Sequence, residues 1–137
     1  MKHILEYKNY ININDLFEDL KYLRLDMHEN GYIVGVWLDK WMDDKIIDII
    51  IERRDKKFFN FNEEVVDFIL RLNHYLYDMG FIYRNYTYSF YSKFDKQDYI
   101  TKFNIRPDEK IVDEDGVFID SSSSVSTEKI KLEFKLK

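Results

Sequence analysis

The segment from Phe61 to Ser92 limits the possible folds more than any other part of the chain. Five of its apolar residues recur at intervals of four, three, four and three, the period of one helix face: Val65, Ile69, Leu72, Leu76 and Met79. Asn62 is suited to cap this helix, and Gly80 is suited to end it. Residues 81–91 are rich in the aromatic residues that favour strands. The segment therefore predicts a helix, a turn and a strand.

The same signals occur in the N-terminal half. Asn12 predicts the start of a helix and Gly31 its end, with Leu16, Leu20, Leu23 and Met27 along one face. Tyr32–Leu38 and Lys45–Arg53 then predict two strands, joined into an antiparallel hairpin by a turn over Asp39–Asp44. A weaker alternation at His3–Tyr7 predicts a preceding strand.

Together these elements predict an α+β fold of the ferredoxin-like, split β-α-β-β-α-β kind, with an antiparallel sheet and two helices on one face. We expect residues 1–92 to form this core and residues 93–137 a C-terminal β extension of the same domain. Within the extension we predict a loop with at most one short strand over 93–110, a hairpin turning at Asp115-Gly116, and a flexible stretch over 121–127. A half-buried strand follows, with Ile130, Leu132, Phe134 and Leu136 on one face.

Composition narrows the functional classes. The 137 residues suit one domain, and a net charge of −5 argues against nonspecific binding to nucleic acid. The chain contains no cysteine, which excludes disulfides, thiolate metal sites and thiol nucleophiles. It has no apolar run long enough for a membrane span and no signal-peptide pattern, so we expect neither membrane insertion nor secretion.

Signals for catalysis or metal binding are weak. Asp113-Glu-Asp-Gly116 resembles part of a calcium loop, but two principal ligand positions are Ile111 and Ser122, so a hairpin turn is the better interpretation. The histidines are scattered along the chain. His28 and His74 lie near the predicted C-terminal ends of helices, where the helix dipole stabilises a positive charge. We therefore expect no enzyme activity, no metal and no cofactor.

The best binding signal lies at the predicted hairpin tip. Trp41 and Met42 are residue types enriched in protein contact surfaces, and Asp39, Asp43 and Asp44 would form a polar rim around them. The alternative, that Trp41 folds back over its own hairpin, is equally plausible on sequence alone. We predict that Trp41→Ala weakens partner binding and leaves thermal stability nearly unchanged.

Trp37 belongs to a second apolar surface. Together with Ile33, Ile46 and Ile50 it alternates away from the sheet face that the helices should cover. We expect the C-terminal region to cover this second face, or failing that another subunit or a partner protein.

A basic and aromatic stretch supports an alternative function. Arg53, Arg54, Lys56 and Lys57 stand before phenylalanines within residues 58–61, a combination that could bind phosphates and stack RNA bases. The competing interpretation, which we favour, is a solvated strand end whose phenylalanines enter the core.

The leader Met1-Lys-His-Ile-Leu-Glu-Tyr-Lys-Asn-Tyr10, followed by a short amphipathic helix ending in Asn30-Gly-Tyr-Ile33, resembles small accessory proteins of tailed bacteriophages with AT-rich genomes. Such leaders also resemble capsid-targeting peptides that are cut after Leu-x-Glu; Leu16-Phe-Glu18 fits that form, although it falls inside the predicted helix. The resemblance implies a virion component or an inhibitor of a host factor, located in the virion or the host cytoplasm. We therefore expect a non-catalytic protein that binds another protein and that could also form a homo-oligomer.

Overall fold

The computed structural model describes residues 13–41, 44–91, 98–120 and 126–136. Its helices are α1 (Ile13–Leu23), α2 (Leu25–Glu29) and α3 (Glu63–Asp78). Its strands are β1 (Tyr32–Trp41), β2 (Asp44–Arg53), β3 (Phe59–Asn60), β4 (Phe81–Tyr91), β5 (Asp98–Ile105), β6 (Ile111–Asp113), β7 (Ser126–Thr127) and β8 (Lys129–Leu136). The strand predicted at His3–Tyr7 and the cap predicted at Asn12 lie outside the described residues.

Helix α3 begins and ends as its sequence predicts. The Oδ1 atom of Asn62 accepts a hydrogen bond from the Val65 amide at 2.9 Å, which satisfies one of the open donors of the first turn. The buried face consists of Val65, Phe68, Ile69, Leu72 and Leu76. Gly80 then takes a φ of +93°, a conformation that a Cβ would disfavour, and the chain turns into β4.

The N-terminal helix differs from its prediction because it is divided. Arg24 interrupts it between α1 and α2, and its guanidinium donates to the Val34 carbonyl at 3.0 Å. Leu16, Leu20 and Met27 are nevertheless all buried, so both pieces present the predicted face to the core. Gly31, with a φ of +93°, ends the second piece.

The described strands confirm an α+β fold, but the strand order is not the one predicted. Six strands form an antiparallel sheet in the order β1-β2-β8-β4-β5-β6, and β3 pairs separately with β7. A ferredoxin-like order would place the N-terminal strand between β2 and β4, whereas β8 lies there. Strand β8, which belongs to the segment predicted to be a C-terminal extension, is therefore a central strand of the sheet.

One face of this sheet packs against the helices, and we call it the core face. The register places Val34 opposite Ile51 and Ile51 opposite Ile130, and the same alternation continues along all three strands. Ile130, Leu132 and Phe134 are fully buried, in one core cluster with the buried residues of the helices. The last described strand therefore contributes to the same hydrophobic core as the helices.

Three loop predictions also change. The polar segment after residue 93 contains the eight-residue strand β5, because Phe103 and Ile105 alternate into the core between exposed neighbours. Ser126 and Thr127, predicted to be flexible, pair with β3. The turn predicted over Asp39–Asp44 is shorter, since β1 and β2 remain paired as far as Trp41 and Asp44. None of the described helices is long and apolar enough to cross a membrane.

Candidate functional site

The sheet surface turned away from the helices, which we call the open face, is the main candidate site. Its side chains alternate with the core residues of each strand. Those that are described are Ile33, Gly35, Trp37, Ile46, Asp48, Ile50, Glu52, Ile82, Lys102, Asn104, Val112, Lys129, Lys131, Glu133 and Lys135. Strand β8 does not cover this surface as predicted, because it lies within the sheet rather than above it.

Trp37 is the most prominent apolar side chain on the open face. It is 51% exposed, and its indole lies back along β1 over Gly35. A Cβ at Gly35 would come within 2.6 Å of the Trp37 Cζ3 atom, so this position of the ring depends on glycine. The strand thus presents a large ring that lies along the sheet, and such rings are typical anchors in protein contacts.

Trp37 stands at one end of a line of described residues on five of the six strands, which passes β4 where its register with β8 shifts between Tyr83 and Tyr86. Strand pairing puts Trp37 opposite Asp48 and Asp48 opposite Glu133, and it puts Asn104 opposite Val112. Glu133 and Asn104 lie at the same level because Leu132 and Phe103 both pair with Tyr86. We call these five residues the Trp37 row: Trp37, Asp48, Glu133, Asn104 and Val112.

Charge is divided unevenly over the open face. The apolar residues Ile33, Ile46 and Ile50 lie on β1 and β2, where Asp48 is 9% exposed. Lysines follow on β8 and β5: Lys129, Lys131, Lys135 and Lys102. Several of these charged groups, including Asp48, Lys131, Glu133 and Lys135, interact within the chain and are therefore held in place. The result is an apolar half beside a basic half, in a chain whose net charge is −5.

The far end of the Trp37 row contains a hairpin and a cavity. The predicted turn is confirmed: the Asp113 carboxylate accepts from the amides of Asp115 and Val117, each at 2.9 Å, and Gly116 has a φ of +82°. Beyond the turn, Val117 is 60% and Phe118 51% exposed. Beside the hairpin lies a cavity of about 350 Å³, lined by Lys102, Phe103, Asn104, Val112, Asp113, Glu114 and Gly116.

The binding residues predicted at the hairpin tip are only partly visible. Asp39, Trp41 and Asp44 lie on paired strands, but their side chains fall outside the described part of the structure. Met42 and Asp43 fall outside it entirely. Trp37, predicted on the second apolar surface, is the predicted partner-binding residue whose side chain is described.

The basic stretch predicted to bind RNA is held by local contacts. Arg53 forms a two-pronged ion pair with Asp55 at 3.0 Å and lies 5.7 Å from the Tyr32 ring centroid. Arg54 donates to the His28 carbonyl, and Lys56 pairs with Glu52 at 3.0 Å. The Lys57 side chain is exposed.

Two of the three phenylalanines of that stretch are placed differently from what base stacking requires, while Phe58 is half-buried. Phe59 and Phe61 are buried, 5% and 0% exposed, in the core cluster. Their rings therefore present no face on which an RNA base could stack. This arrangement is the one expected for a solvated strand end whose phenylalanines enter the core.

Among the described residues, the Arg53–Asp55 ion pair and Tyr75 have displaced pKa values, and the Asp55 carboxylate raises the pKa of the Arg53 guanidinium. The hydrogen bond from Arg53, helped by the Lys57 amide, lowers the pKa of Asp55 to about 2. Burial, together with a 2.7 Å hydrogen bond to Asp19, raises the pKa of Tyr75 above its ordinary value. All of these groups lie in structural contacts outside the open face.

The histidines and acidic residues that are described do not assemble a metal site. His74 contacts Glu109 at the surface, between α3 and the turn after β5. Within residues 13–41, 44–91, 98–120 and 126–136, no group of three or more histidine, aspartate or glutamate side chains could hold a metal ion.

The lysines of β8 and the cavity beside β6 were missed as site features by the sequence analysis. The alternation of β8 shows that its lysines share a face, but not that this face borders the strands of Trp37. The cavity depends on the pairing of β5 with β6, and the sequence predicted at most one short strand where the eight-residue β5 lies. The chain matches no protein-family model, no curated protein and no solved structure.

Proposed function

We propose that this chain is a non-catalytic, phage-encoded protein that works by binding another protein, as a virion component or as an inhibitor of a host factor. The open face is its contact surface. The observation that carries this proposal is the half-exposed indole of Trp37, positioned over Gly35.

The surroundings of Trp37 have the composition of a protein contact surface. Strand β1 itself contributes the half-buried Ile33 and the neighbouring β2 contributes Ile46 and Ile50, while the lysines of β8 supply a polar border. Interfaces characteristically combine an aromatic anchor with apolar neighbours and a charged rim. Desolvation of this surface by a partner would release water from the indole and the isoleucines, which favours association.

Affinity capture from host lysate and from purified virions tests this proposal. Trp37→Ala should reduce the recovery of a specific partner about tenfold or more, as expected for an interface hot spot. Tyr77→Ala is the matched control, because Tyr77 is 60% exposed on α3 rather than on the sheet. Equal recovery with the wild-type chain and with Trp37→Ala would contradict the proposed surface.

A further inference from the structure

The outermost strand at one end of the six-stranded sheet has the composition of a central strand. From Tyr32 to Leu38, β1 contains no charged residue and no proline, and its apolar side chains alternate between the two faces. Strands that are apolar on both faces usually lie inside a sheet, with a neighbour on each side. In the order β1-β2-β8-β4-β5-β6, however, β1 has β2 on one side, and no described strand pairs with its other side.

Two hydrogen bonds identify the backbone groups of β1 that point away from β2. The Gly31 carbonyl accepts from the Arg54 amide at 2.8 Å, so the alternation of an antiparallel pair directs the odd-numbered residues of β1 towards β2. The Val34 carbonyl accepts from the Arg24 guanidinium at 3.0 Å, and it does so on the outer side of the strand, as an even-numbered residue should. The even-numbered residues of β1 therefore direct their amides and carbonyls outward.

Val36 and Leu38 are the next two outward-directed residues along the strand. Their side chains lie on the core face but are only half-buried, whereas their partners on β2, Ile49 and Ile47, are 0% and 1% exposed. The hydrophobic core is thus incompletely covered where the sheet stops. Outward backbone groups and half-covered apolar side chains at the same place both suit the addition of one more strand.

The opposite end of the sheet is closed by the chain itself. Residues 117–119 run along the outer side of β6, where the Asp113 amide donates to the Val117 carbonyl at 2.9 Å and the Ile119 amide donates to the Ile111 carbonyl at 2.8 Å. Strand β6 has three residues, against ten in β1. Folded proteins usually keep their sheet edges short or covered, because a long uncharged edge pairs readily with another strand. Among the described strands of this sheet, β1 alone offers such an edge.

We infer that β1 pairs in antiparallel orientation with β1 of a second copy, so that the two sheets join edge to edge. The strand that completes β1 must be uncharged, apolar on both faces and open along one edge, and β1 of another copy has all three properties. Because the other end of each sheet is closed, this pairing uses both open edges and stops at a dimer. The inference goes beyond the proposed function, since it concerns the edge of the sheet and not its open face.

The uncharged part of the edge that Arg24 leaves open sets the register. A two-fold axis perpendicular to the sheet at Trp37 pairs Val36 of each copy with Leu38 of the other, and it does not require the Val34 carbonyl that Arg24 occupies. Trp37 then lies opposite Trp37 in a pair without hydrogen bonds, in which the Cα atoms are about 4.5 Å apart. The rotation keeps both open faces on the same side, so the open face becomes continuous across the two copies.

Sedimentation equilibrium of the full chain tests the inference, with Val36→Pro and Val36→Ala as a matched pair. The junction of two short strand segments is small, so the wild-type dimer should dissociate in roughly the micromolar range. Proline removes an outward amide that β2 does not use, and edge strands accept proline at such positions, so the circular dichroism should remain native. Symmetry removes two hydrogen bonds at once, and Val36→Pro should therefore weaken the dimer about tenfold or more. Val36→Ala keeps the amide and should weaken it less.

Disulfide formation tests the position of the axis without the use of proline. The chain contains no cysteine, so Trp37→Cys has a single thiol, which meets its counterpart only if the axis passes at residue 37. The Cα separation of about 4.5 Å in such a pair is within the range of disulfides. Under mild oxidation, Trp37→Cys should cross-link at least about tenfold faster than Tyr77→Cys, which places the thiol at an exposed position on α3. Equal rates for the two variants would overturn the inference.

The inference and the proposed function fail on different results. A wild-type chain that is monomeric up to roughly 1 mM, or a dimer as tight in Val36→Pro as in Val36→Ala, overturns the edge pairing. Association that continues past the dimer also overturns it, because growth requires a second open edge. The proposed function fails instead when the wild type and Trp37→Ala capture other proteins equally, and a dimer that Val36→Pro weakens would stand even then.

Discussion

At the residue scale, the position of Trp37 depends on the absence of a side chain two residues earlier. Gly35 lies in the interior of a strand, where glycine usually weakens the structure. Here the missing side chain leaves room for the Trp37 indole, which lies over Gly35. Sequence alternation alone could assign Trp37 to a sheet face. It could not show that the ring lies back along its own strand, because that contact depends on the rotamer of one side chain.

Gly35→Ala should displace the indole. The added methyl group would overlap the far end of a side chain that can rotate, so we expect the free energy of unfolding to change by less than about 1 kcal/mol. Tryptophan fluorescence should shift to longer wavelength as the ring becomes more exposed. In a Trp37→Ala background, Gly35→Ala should produce no such shift, and a shift of equal size there would show that the signal comes from Trp41.

The turn after β2 contains a pH-sensitive contact. In this turn, the hydrogen-bonded ion pair between Arg53 and Asp55 lowers the pKa of the Asp55 carboxyl from 3.8 to about 2. The folded state therefore favours the carboxylate form. The resulting stabilisation is complete above the ordinary pKa and is lost as the pH falls from about 4 towards 2. Denaturant unfolding along this pH range should show a decline in stability that is smaller in Asp55→Asn. Identical declines in the two proteins would contradict the role of Asp55.

At the element scale, the best-predicted parts of the chain are those specified by neighbouring residues. The cap at Asn62, the apolar period of α3 and the glycine at its end all lie within one short segment, and the structure confirms each of them. The length of strand β5 was underestimated because the exposed polar residues Lys102, Asn104 and Arg106 alternate with Phe103 and Ile105, which made the segment resemble a loop. The break at Arg24 was also missed, because the apolar period continues through it from Leu23 to Met27 and no glycine or proline marks it.

Asn62 has two roles that substitution can separate. Its Oδ1 atom caps α3, and its Nδ2 atom donates to the Tyr32 hydroxyl at 3.1 Å. Asn62→Ala should lower the free energy of unfolding by about 1 kcal/mol or somewhat more, whereas Asn62→Asp keeps the capping oxygen and should cost less. Denaturant unfolding measures both. Equal losses in the two variants would mean that the Tyr32 contact, rather than the cap, accounts for the stabilisation.

At the scale of the whole molecule, the sheet order could not be predicted from the sequence. The pattern of β8 predicts a strand with one buried face, and that pattern is equally suited to an edge or to the centre of a sheet. Leu132 of β8, for example, pairs with Ile49 on one side and Tyr86 on the other, and both are far from it along the chain. The ferredoxin-like expectation failed at this point, because local patterns specify which face is buried and not which strands are neighbours.

The same long-range pairing determines where the apolar and basic halves of the open face meet. Lysines at the C-terminal end of the chain lie beside isoleucines from its first half only because β8 pairs with β2. Non-local strand pairing of this kind incurs a large loop-closure entropy and slows folding. The candidate surface therefore forms only when the last strand has joined the sheet.

A chain that ends at Glu128 should consequently fail to fold. Its loss of β8 would leave the backbone groups of β2 and β4 unpaired in the middle of the sheet and remove three fully buried side chains, Ile130, Leu132 and Phe134. Truncation of one such residue to alanine typically costs about 2–5 kcal/mol, so the loss of all three exceeds the stability of an ordinary small domain. Near-UV circular dichroism should show no native signal.

Adding a synthetic peptide of residues 126–137 should then restore the signal, because the peptide can pair with both neighbouring strands. A peptide with Leu132→Ala should restore it poorly, and one with Lys131→Ala, an exposed position on the same strand, should restore it well. If the shortened chain keeps its native spectrum without the peptide, β8 is peripheral and the two halves of the open face are not joined as described.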